Sequence, residues 1–289
     1  MFKPLLAAEY HNFNPPYLAS PKIDAIRCLI RNCQAVSRSL KPLPNKYVQD
    51  ALGLIQLNDL DGELAVGSFT DPHCFSNTTK FVMSKDREAA FTFWVFDDAS
   101  FPNRPFQERY MHATEKVHAV VSPCPIDILK QTRIDTLTEL HAFEDNAISF
   151  GFEGVMLRSP DGHYKYGRST VKENILLKVK RFDDAYANVV GFAELMHNEN
   201  PSYVNELGDS SRASLNAYKE PMNTLGALIV KNTVTDVIFK IGTGFTQDER
   251  LSIWNNKKEY LNRRLRYKFF PHGMKDKPRH PVFLCWMED

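Results

Sequence analysis

The stretch Ala19-Ser20-Pro21-Lys22-Ile23-Asp24-Ala25-Ile26-Arg27-Cys28 sets two cations and a carboxylate inside an otherwise apolar, strand-like segment. Side chains on a strand alternate between its two faces. Lys22 and Arg27 lie five positions apart, so an unbroken strand would turn them to opposite faces. They can serve one site only if the chain bends between them. Glycine is the residue most often used where φ must become positive, and alanine meets a steric penalty there. A negative φ is therefore expected at Ala25. Around this bend, Ile26, Cys28 and Ile30 alternate with Arg27 and Arg31, which predicts a strand over residues 25–31.

Asp61-Gly62 in LDGELAV reads as a turn before a second short strand. FTFWVFDD is aromatic and β-branched, which favours a strand. Over residues 104–121 the period changes: Phe106, Tyr110, Ala113, Val117 and Val120 recur at helical spacings. A further helix is predicted over 133–150, closed by Gly151. GVMLRSPDGHYKYG reads as a hairpin around Pro-Asp-Gly, and ILLKVKRF alternates again. After Arg181 the character shifts. FDDAYANVVGFAEL begins a strand-rich part, ENPSYVNELGDSSRASLNAYKEPMN is polar and turn-rich, and LGALIVKN and VIFKIG predict a hairpin. Thr246 and Glu249 have the spacing of a capping box. A boundary near residue 182 separates a mixed part from about one hundred mostly β residues, a size common among small barrels.

At 289 residues the chain can hold one large domain or two ordinary ones. Its formal net charge of +1 sets up no global basic field, so any polyanion surface must come from local clusters of Lys and Arg. Five cysteines, an odd count with no CxxC pair, argue against a zinc site or a disulfide framework and fit a reducing cytosol. No signal-peptide pattern opens the sequence and no apolar run approaches a membrane span, so no membrane partner is expected.

An ordered series of polar residues runs through these elements. Lys22-x-Asp24-x-x-Arg27 is followed by Ser37-Arg38, Asp61-Gly62-Glu63-Leu64, Phe96-Asp97, Glu153-Gly154-Val155-Met156 and Lys178-Val179-Lys180. Together with SRSLKPLPNKYV, EGVMLRSPDGHYKYGRS and the late FKIGTGF, the series resembles the covalent nucleotidyltransferase superfamily of polynucleotide ligases and mRNA capping enzymes. Within it, the chain looks most like the compact ATP-dependent DNA ligases of bacteriophages, and the resemblance spans nearly its whole length. The implied fold is α+β: a nucleotidyltransferase (adenylylation) domain of antiparallel sheets and helices over 1–182, then an OB-fold β-barrel over 183–289. The implied activity is ATP-dependent sealing of nicks in double-stranded DNA through a lysyl-AMP intermediate and a DNA-adenylate. Mg²⁺ is the expected ion, with Mn²⁺ as a substitute, because phosphates and carboxylates are hard oxygen ligands. The implied setting is a cytoplasmic monomer (in the host cytoplasm if phage-encoded) working in DNA replication and repair.

The resemblance also gives each matched position a role. Lys22 is the implied nucleophile, attacking the α-phosphorus of ATP. Free lysine ionises near pH 10.4, so an unprotonated amine near neutrality needs about 4 kcal/mol from burial and neighbouring cations. Lys178 and Lys180 share one strand face and would both reach the transferring phosphate. Glu153 matches the metal-associated carboxylate, with Glu63 the second acidic candidate. Glu63 also matches the residue that holds the ribose hydroxyls. Phe96 matches the aromatic that stacks on adenine, worth roughly 1–3 kcal/mol by analogy with other base stacking. Arg27 and Arg38 match positions near the ribose, the phosphates and the nicked strand.

Two features depart from the family pattern. Ala25 stands where the lysine motif usually has glycine. The tail KDKPRHPVFLCWMED ends acidic, where many relatives carry a basic motif that orients pyrophosphate; Lys275, Lys277 and Arg279 are the nearest basic candidates. NNKKEYLNRRLRYKFF packs six cations among aromatics and fits either a solvated helix face or a phosphate-backbone track. About twenty residues precede Lys22, too few for the extra domain of NAD-dependent relatives, so ATP is the expected cofactor. An RNA ligase, a GTP-using capping enzyme and a catalytically decayed nick-binding protein are the alternatives left open.

Overall fold

The structure is a computed structural model that describes residues 2–207, 210–213, 218–274 and 276–287; Lys275 lies outside the described residues. The chain divides into two compact units, Met1–Lys180 with Val204–Ser210, and Arg181–Tyr203 with Ser211–Asp289.

In chain order the first unit carries β1 (Ala8–Glu9), β2 (Tyr17–Lys22), β3 (Ile26–Arg31), β4 (Gln34–Val36), α1 (Lys46–Leu52), β5 (Leu60–Val66), α2 (Cys74–Val82) and β6 (Phe91–Asp98). It continues with α3 (Phe106–Ala119), β7 (Ile126–Ile128), β8 (Thr132–Ile134), α4 (Leu137–Ser149), β9 (Gly154–Arg158) and β10 (Leu176–Val179). These strands form two sheets, ordered β1-β10-β9-β2-β8 and β4-β3-β5-β6-β7. Most pairings are antiparallel, as expected, but β1–β10 and β6–β7 are parallel. Apolar residues of α1, α2 and α3, among them Leu52, Phe81 and Val117, bury one face of the second sheet. Leu140 and Ala147 of α4 do the same for the first.

The segment that opened the sequence analysis joins these two sheets. β2 ends at Lys22 within the first, and β3 begins at Ile26 within the second. The chain bends at Ala25, and the non-glycine residues with positive φ, among them Asn32, Cys33 and Asp59, do not include it. Ile23, inside the break, is buried with Phe96 and Leu129.

Several local expectations are corrected. Asp61 and Gly62 lie inside β5 rather than in a turn before it; the turn falls earlier, where Asp59 takes φ 69°. A Cβ on Gly62 would stand 2.4 Å from the Trp94 carbonyl oxygen, so this glycine serves close strand approach. The 133–150 helix starts only at Leu137, because residues 132–134 pair with β2; Thr136 caps it in a reciprocal box with Glu139, and Gly151 at φ 85° ends it. The hairpin partner of β9 is β10, not the residues just after Pro-Asp-Gly. Residues 159–175 form a loop that sends Tyr164 inward to Asp61.

The second unit is built on β11 (Asp183–Asn198), β14 (Lys219–Asn232), β15 (Ile238–Ile241), β16 (Arg264–Phe270) and β17 (Arg279–Trp286), with β12 (Ser202–Val204) and β13 (Ser210–Arg212) paired as a separate two-stranded ribbon. The order β15-β14-β11-β16-β17 is antiparallel throughout. A bridge between Thr243 and Val282 brings its two edges together, closing a barrel around Val189, Leu228, Phe239 and Tyr267. Two helices follow β15: α5 (Gln247–Asn255), which opens with the expected Thr246–Glu249 capping box, and α6 (Lys257–Tyr260). The basic run over residues 255–270 is therefore not one helix face. Its second half is β16, where Arg264 and Arg266 alternate outward from buried Leu265 and Tyr267.

Because Ala25 needs no positive φ, glycine there gains nothing in the folded chain and adds freedom to the unfolded one. Ala25→Gly is expected to lower stability by roughly 0.4–1 kcal/mol in urea unfolding. A stabilised variant would show that alanine is strained at the bend.

Candidate active site

The first unit holds a cavity of about 370 Å³, within the range of small-molecule sites. Lys22 and Ala25 from the break, Arg27 on β3, Glu63 on β5, Phe96 on β6 and Lys178 on β10 all line it. Arg38, in the turn after β4, lines it too and is exposed. The bend thus does what parity required: Lys22 and Arg27 reach one cavity from two sheets.

At the end of β2, Lys22 pairs in register with Gly154 of β9. Glu153, only 3% exposed, accepts a hydrogen bond from Lys22 Nζ on one carboxylate oxygen and from Lys180 Nζ on the other. Burial pushes the Glu153 carboxyl up, yet the two ammonium groups hold it below the usual carboxylate range. Burial, then the Lys22 charge, lowers the ionisation of Lys180. Gly154 explains why a glycine follows Glu153. Its φ is 152°, and a Cβ would lie 2.2 Å from the Val179 carbonyl oxygen. Lys178 and Lys180 do not converge on one partner: Lys178 Nζ is 2.8 Å from Glu9 Oε1 and lines the cavity, whereas Glu153 and Lys180 join it through Lys22.

The opposite wall is built on two buried aspartates facing each other across β5 and β6, Asp61 and Asp97. Asp61 accepts from Arg27 Nε at 2.9 Å and from Tyr164 Oη at 2.6 Å. Arg27 also donates to the Leu5 carbonyl at 2.6 Å, so most of its donors are already engaged. Asp97 accepts from Arg109 Nε and Nη2 at 2.9 and 3.1 Å and from Arg158 Nη1 at 2.8 Å. Between Asp97 and Val95 the pairing slips by one residue. Phe96 is therefore the extra residue of a β-bulge, a device that re-aims a side chain. Its ring has the Arg158 guanidinium 5.0 Å and the Arg27 guanidinium 5.5 Å from its centroid.

Glu63 is the odd member of the cavity. Its Oε2 is buried with no hydrogen-bond partner among the described residues. An orphaned acceptor in a cavity fits a ligand bearing hydroxyl donors, such as a ribose.

Four contributors escaped the sequence reading. Arg158 and Arg168 line the cavity, and Arg109 and Tyr164 brace it from behind. Arg158 lay in plain view two residues beyond Met156, at the far end of the motif that supplied Glu153. Arg109 and Tyr164 are visible only through long-range contacts, since nothing local distinguishes an arginine on an amphipathic helix or a tyrosine in a loop.

Comparisons with known proteins bear on the family and the fold. A family profile described as ATP dependent DNA ligase domain matches residues 7–180, and one described as DNA ligase OB-like domain matches residues 220–286. Two solved structures of Chlorella virus DNA ligase-adenylate are 32% and 33% identical to the chain, with TM-scores of 0.56, covering 99% and 100% of it and 99% of themselves. A structure of Lig E DNA ligases, 22% identical at a TM-score of 0.74 and covering 99% of this chain and 100% of its own, shares the fold. No curated protein matches the chain. The fold is a nucleotidyltransferase domain followed by an OB-like barrel, and the chain belongs to the ATP-dependent DNA ligases.

Glu63 gives the free enzyme a pH signature. Burial pushes its carboxyl from 4.5 up to about 7, against the pull of Lys22 and Arg27. Between those values the folded chain keeps a proton that the unfolded chain has released, so stability falls as pH rises through the window and the loss is complete above it. Glu63→Gln is expected to melt higher than wild type at pH 8, by roughly 1–3 kcal/mol, and alike at pH 4. Equal melting at pH 8 would remove the buried charge from the account.

Proposed function

We propose that this ligase seals nicks in duplex DNA by carrying AMP on Lys22. The observation that carries the reading is the position of Lys22, which lines the cavity and shares Glu153 with Lys180. Lys22 and Lys180 both donate to Glu153, so Lys22 can lose its proton while Lys180 still pairs the carboxylate. The freed Lys22 Nζ attacks the α-phosphorus of ATP. An N–P bond forms, the bond from that phosphorus to the bridging oxygen breaks, and pyrophosphate leaves with the electron pair. An oxygen of the nick's 5′-phosphate then attacks the same phosphorus, the N–P bond breaks and Lys22 takes up a proton as it leaves; finally the 3′-hydroxyl, losing its proton, bonds to the 5′-phosphorus, and AMP leaves with the electron pair of the pyrophosphate linkage.

The other residues take their places around that step. Phe96 stacks on the base, and Glu63 Oε2 accepts from the ribose. Arg27, already spent on Asp61 and Leu5, positions the wall more than it binds. Lys178 and Lys180 neutralise the phosphates, and Arg38 serves the phosphate or the nicked strand. Among the described residues no group of three or more His, Cys, Asp or Glu side chains converges. The donor set therefore fits an ion that keeps phosphate oxygens and waters as most of its ligands, as Mg²⁺ does, with Mn²⁺ as a substitute and Glu153 as the protein ligand. Such an ion supplies charge neutralisation at the transferring phosphate. The same reading makes the chain a monomer working in DNA replication or repair in the cytoplasm, that of a host if it is phage-encoded. The described residues contain no helix long and apolar enough to cross a membrane.

Incubation with ATP labelled at the α-phosphate, followed by a denaturing gel, tests the central step. Wild type should retain label and Lys22→Ala should retain none; equal labelling of the two would overturn the assignment. GTP and RNA-containing nicks in parallel assays separate the capping and RNA-ligase alternatives.

Arg264, Arg266 and Lys268 along β16 give the phosphate-backbone reading of the second unit a specific form. Replacing Arg264 and Arg266 by alanine should weaken nicked-duplex binding and flatten the slope of log affinity against log salt by nearly 2. An unchanged slope would return this strand face to plain solvation.

A further inference from the structure

We infer that Glu9 is the resident counter-ion of Lys178, a carboxylate that yields the lysine when a nucleotide phosphate arrives and so limits how tightly the nucleotide is held. The inference rests on the reading above, in which the phosphates lie against Lys178.

The segment ahead of the lysine motif meets the cations of the cavity at every second position. The Leu5 carbonyl accepts from Arg27 Nη1 at 2.6 Å, the Ala7 carbonyl accepts from Arg168 Nη1 at 2.7 Å, and Glu9 Oε1 lies 2.8 Å from Lys178 Nζ. All three cations line the cavity. A period of two belongs to extended chain, and backbone hydrogen bonds hold the segment in that form. Leu6 N donates to the Gly167 carbonyl at 2.9 Å, the Leu6 carbonyl accepts from Ser169 N at 2.8 Å, and Tyr10 N donates to the Lys178 carbonyl at 3.0 Å. Leu5, 1% exposed, anchors it in a cluster with Tyr164 and Leu176. The parallel register of β1 on β10 sets Ala8 beside Leu177 and Glu9 beside Lys178. Ala8 and Leu177 are buried together. Glu9 and Lys178 therefore share the opposite face, and their pairing is fixed by the register rather than by chance.

The three acceptors differ in kind. The two carbonyls are neutral and belong to the backbone, so they cannot withdraw. Glu9 carries a formal charge, and its side chain is 58% exposed. The two lysines of this strand differ in the same way. Lys180 pairs with Glu153, whose side chain is 4% exposed and also serves Lys22, so that carboxylate has no water to retreat into. The partner of Lys178 can swing into solvent. A phosphate that approaches Lys178 must displace Glu9 or bear its like charge. Exposed ion pairs are weak, which makes the exchange easy and keeps its effect on affinity severalfold. Glu9 is thus a positioning residue: it holds the Lys178 ammonium at the cavity wall and hands it to the ligand.

Titration with α,β-methylene-ATP and Mg²⁺ tests this, because the methylene bridge blocks transfer and leaves a plain binding equilibrium. Glu9→Gln should bind the analogue about threefold tighter than wild type. In a Lys178→Met background the same change should leave affinity as it was, since the carboxylate then has no lysine to withhold. Single-turnover formation of covalent AMP from ATP should show the same fall in half-saturating concentration, with the maximal rate within about twofold. Equal or weaker binding by Glu9→Gln would make Glu9 structural, and equal tightening in both backgrounds would make it a remote charge; either overturns the inference. The first result decides it even if the methionine variant does not fold. Wild type that forms covalent AMP while Glu9→Gln shows no shift sinks the role of Glu9 alone. Wild type that neither forms covalent AMP nor binds the analogue sinks both readings.

Discussion

The cavity exists because the chain leaves one sheet at Lys22 and enters another at Ile26. Three residues make the crossing. Ile23 buries itself against Phe96 and Leu129, so the break is pinned to the same apolar cluster that seats the Phe96 ring. A continuous strand would have kept Lys22 in register but turned Arg27 away. Splitting the segment lets each half obey its own pleat while the two side chains line one cavity. The geometry also removes the reason for a glycine, since the turn is made without positive φ at Ala25.

A second constraint lies behind the wall. Asp61 and Asp97 sit directly opposite each other, both fully buried. Like charges in that position would repel, and an unpaired buried carboxylate is expensive. Arg27 and Tyr164 answer the first; Arg109 and Arg158 answer the second. Those partners come from β3 of the same sheet and from the 159–175 loop, α3 and β9, so the two carboxylates tie three further pieces of chain to that sheet. Replacing one aspartate would leave buried guanidinium groups without a counter-charge, which is why pairs of this kind are far costlier to break than to do without. The bulge at Phe96 lies between these anchors and inherits their rigidity.

Much of this was legible in the sequence where the signal was local. Strand alternation located β3 and β10, aromatic and β-branched composition located β6, helical spacing located α3, and the Thr246–Glu249 spacing located a capped helix start. Ordered motifs picked out Lys22, Arg27, Arg38, Glu63, Phe96 and Lys178, which the fold does gather around one cavity. What stayed hidden depended on partners far along the chain. Residues 132–134 resemble the start of a helix until β2 recruits them. Asp61-Gly62 has turn composition, but the close pass of Trp94 makes Gly62 a strand residue. Lys178 and Lys180 have the parity of a shared face, yet the strand ends at Val179 and each lysine finds its own carboxylate, Glu9 or Glu153. Period-two reasoning holds only while the strand lasts.

The cavity is organised around polar groups that neighbouring side chains answer only in part. Among the described residues, Glu63 keeps an oxygen buried without a donor, and Lys22 and Lys180 both donate to Glu153. The orphaned oxygen costs stability in the free chain; in the proposed reading it meets a hydroxyl donor, and the lysines meet an anionic phosphate. Stability and function commonly trade off in this way at active sites. Since these groups are complementary to one ligand, binding answers all of them together. A smaller fragment would meet fewer of these groups: adenosine does not reach the lysines, and pyrophosphate leaves Glu63 unanswered. The cavity therefore favours the whole nucleotide over its parts by more than added contact area would provide. That preference is fixed by where the buried walls hold their unmatched atoms, before any loop or unit has to move.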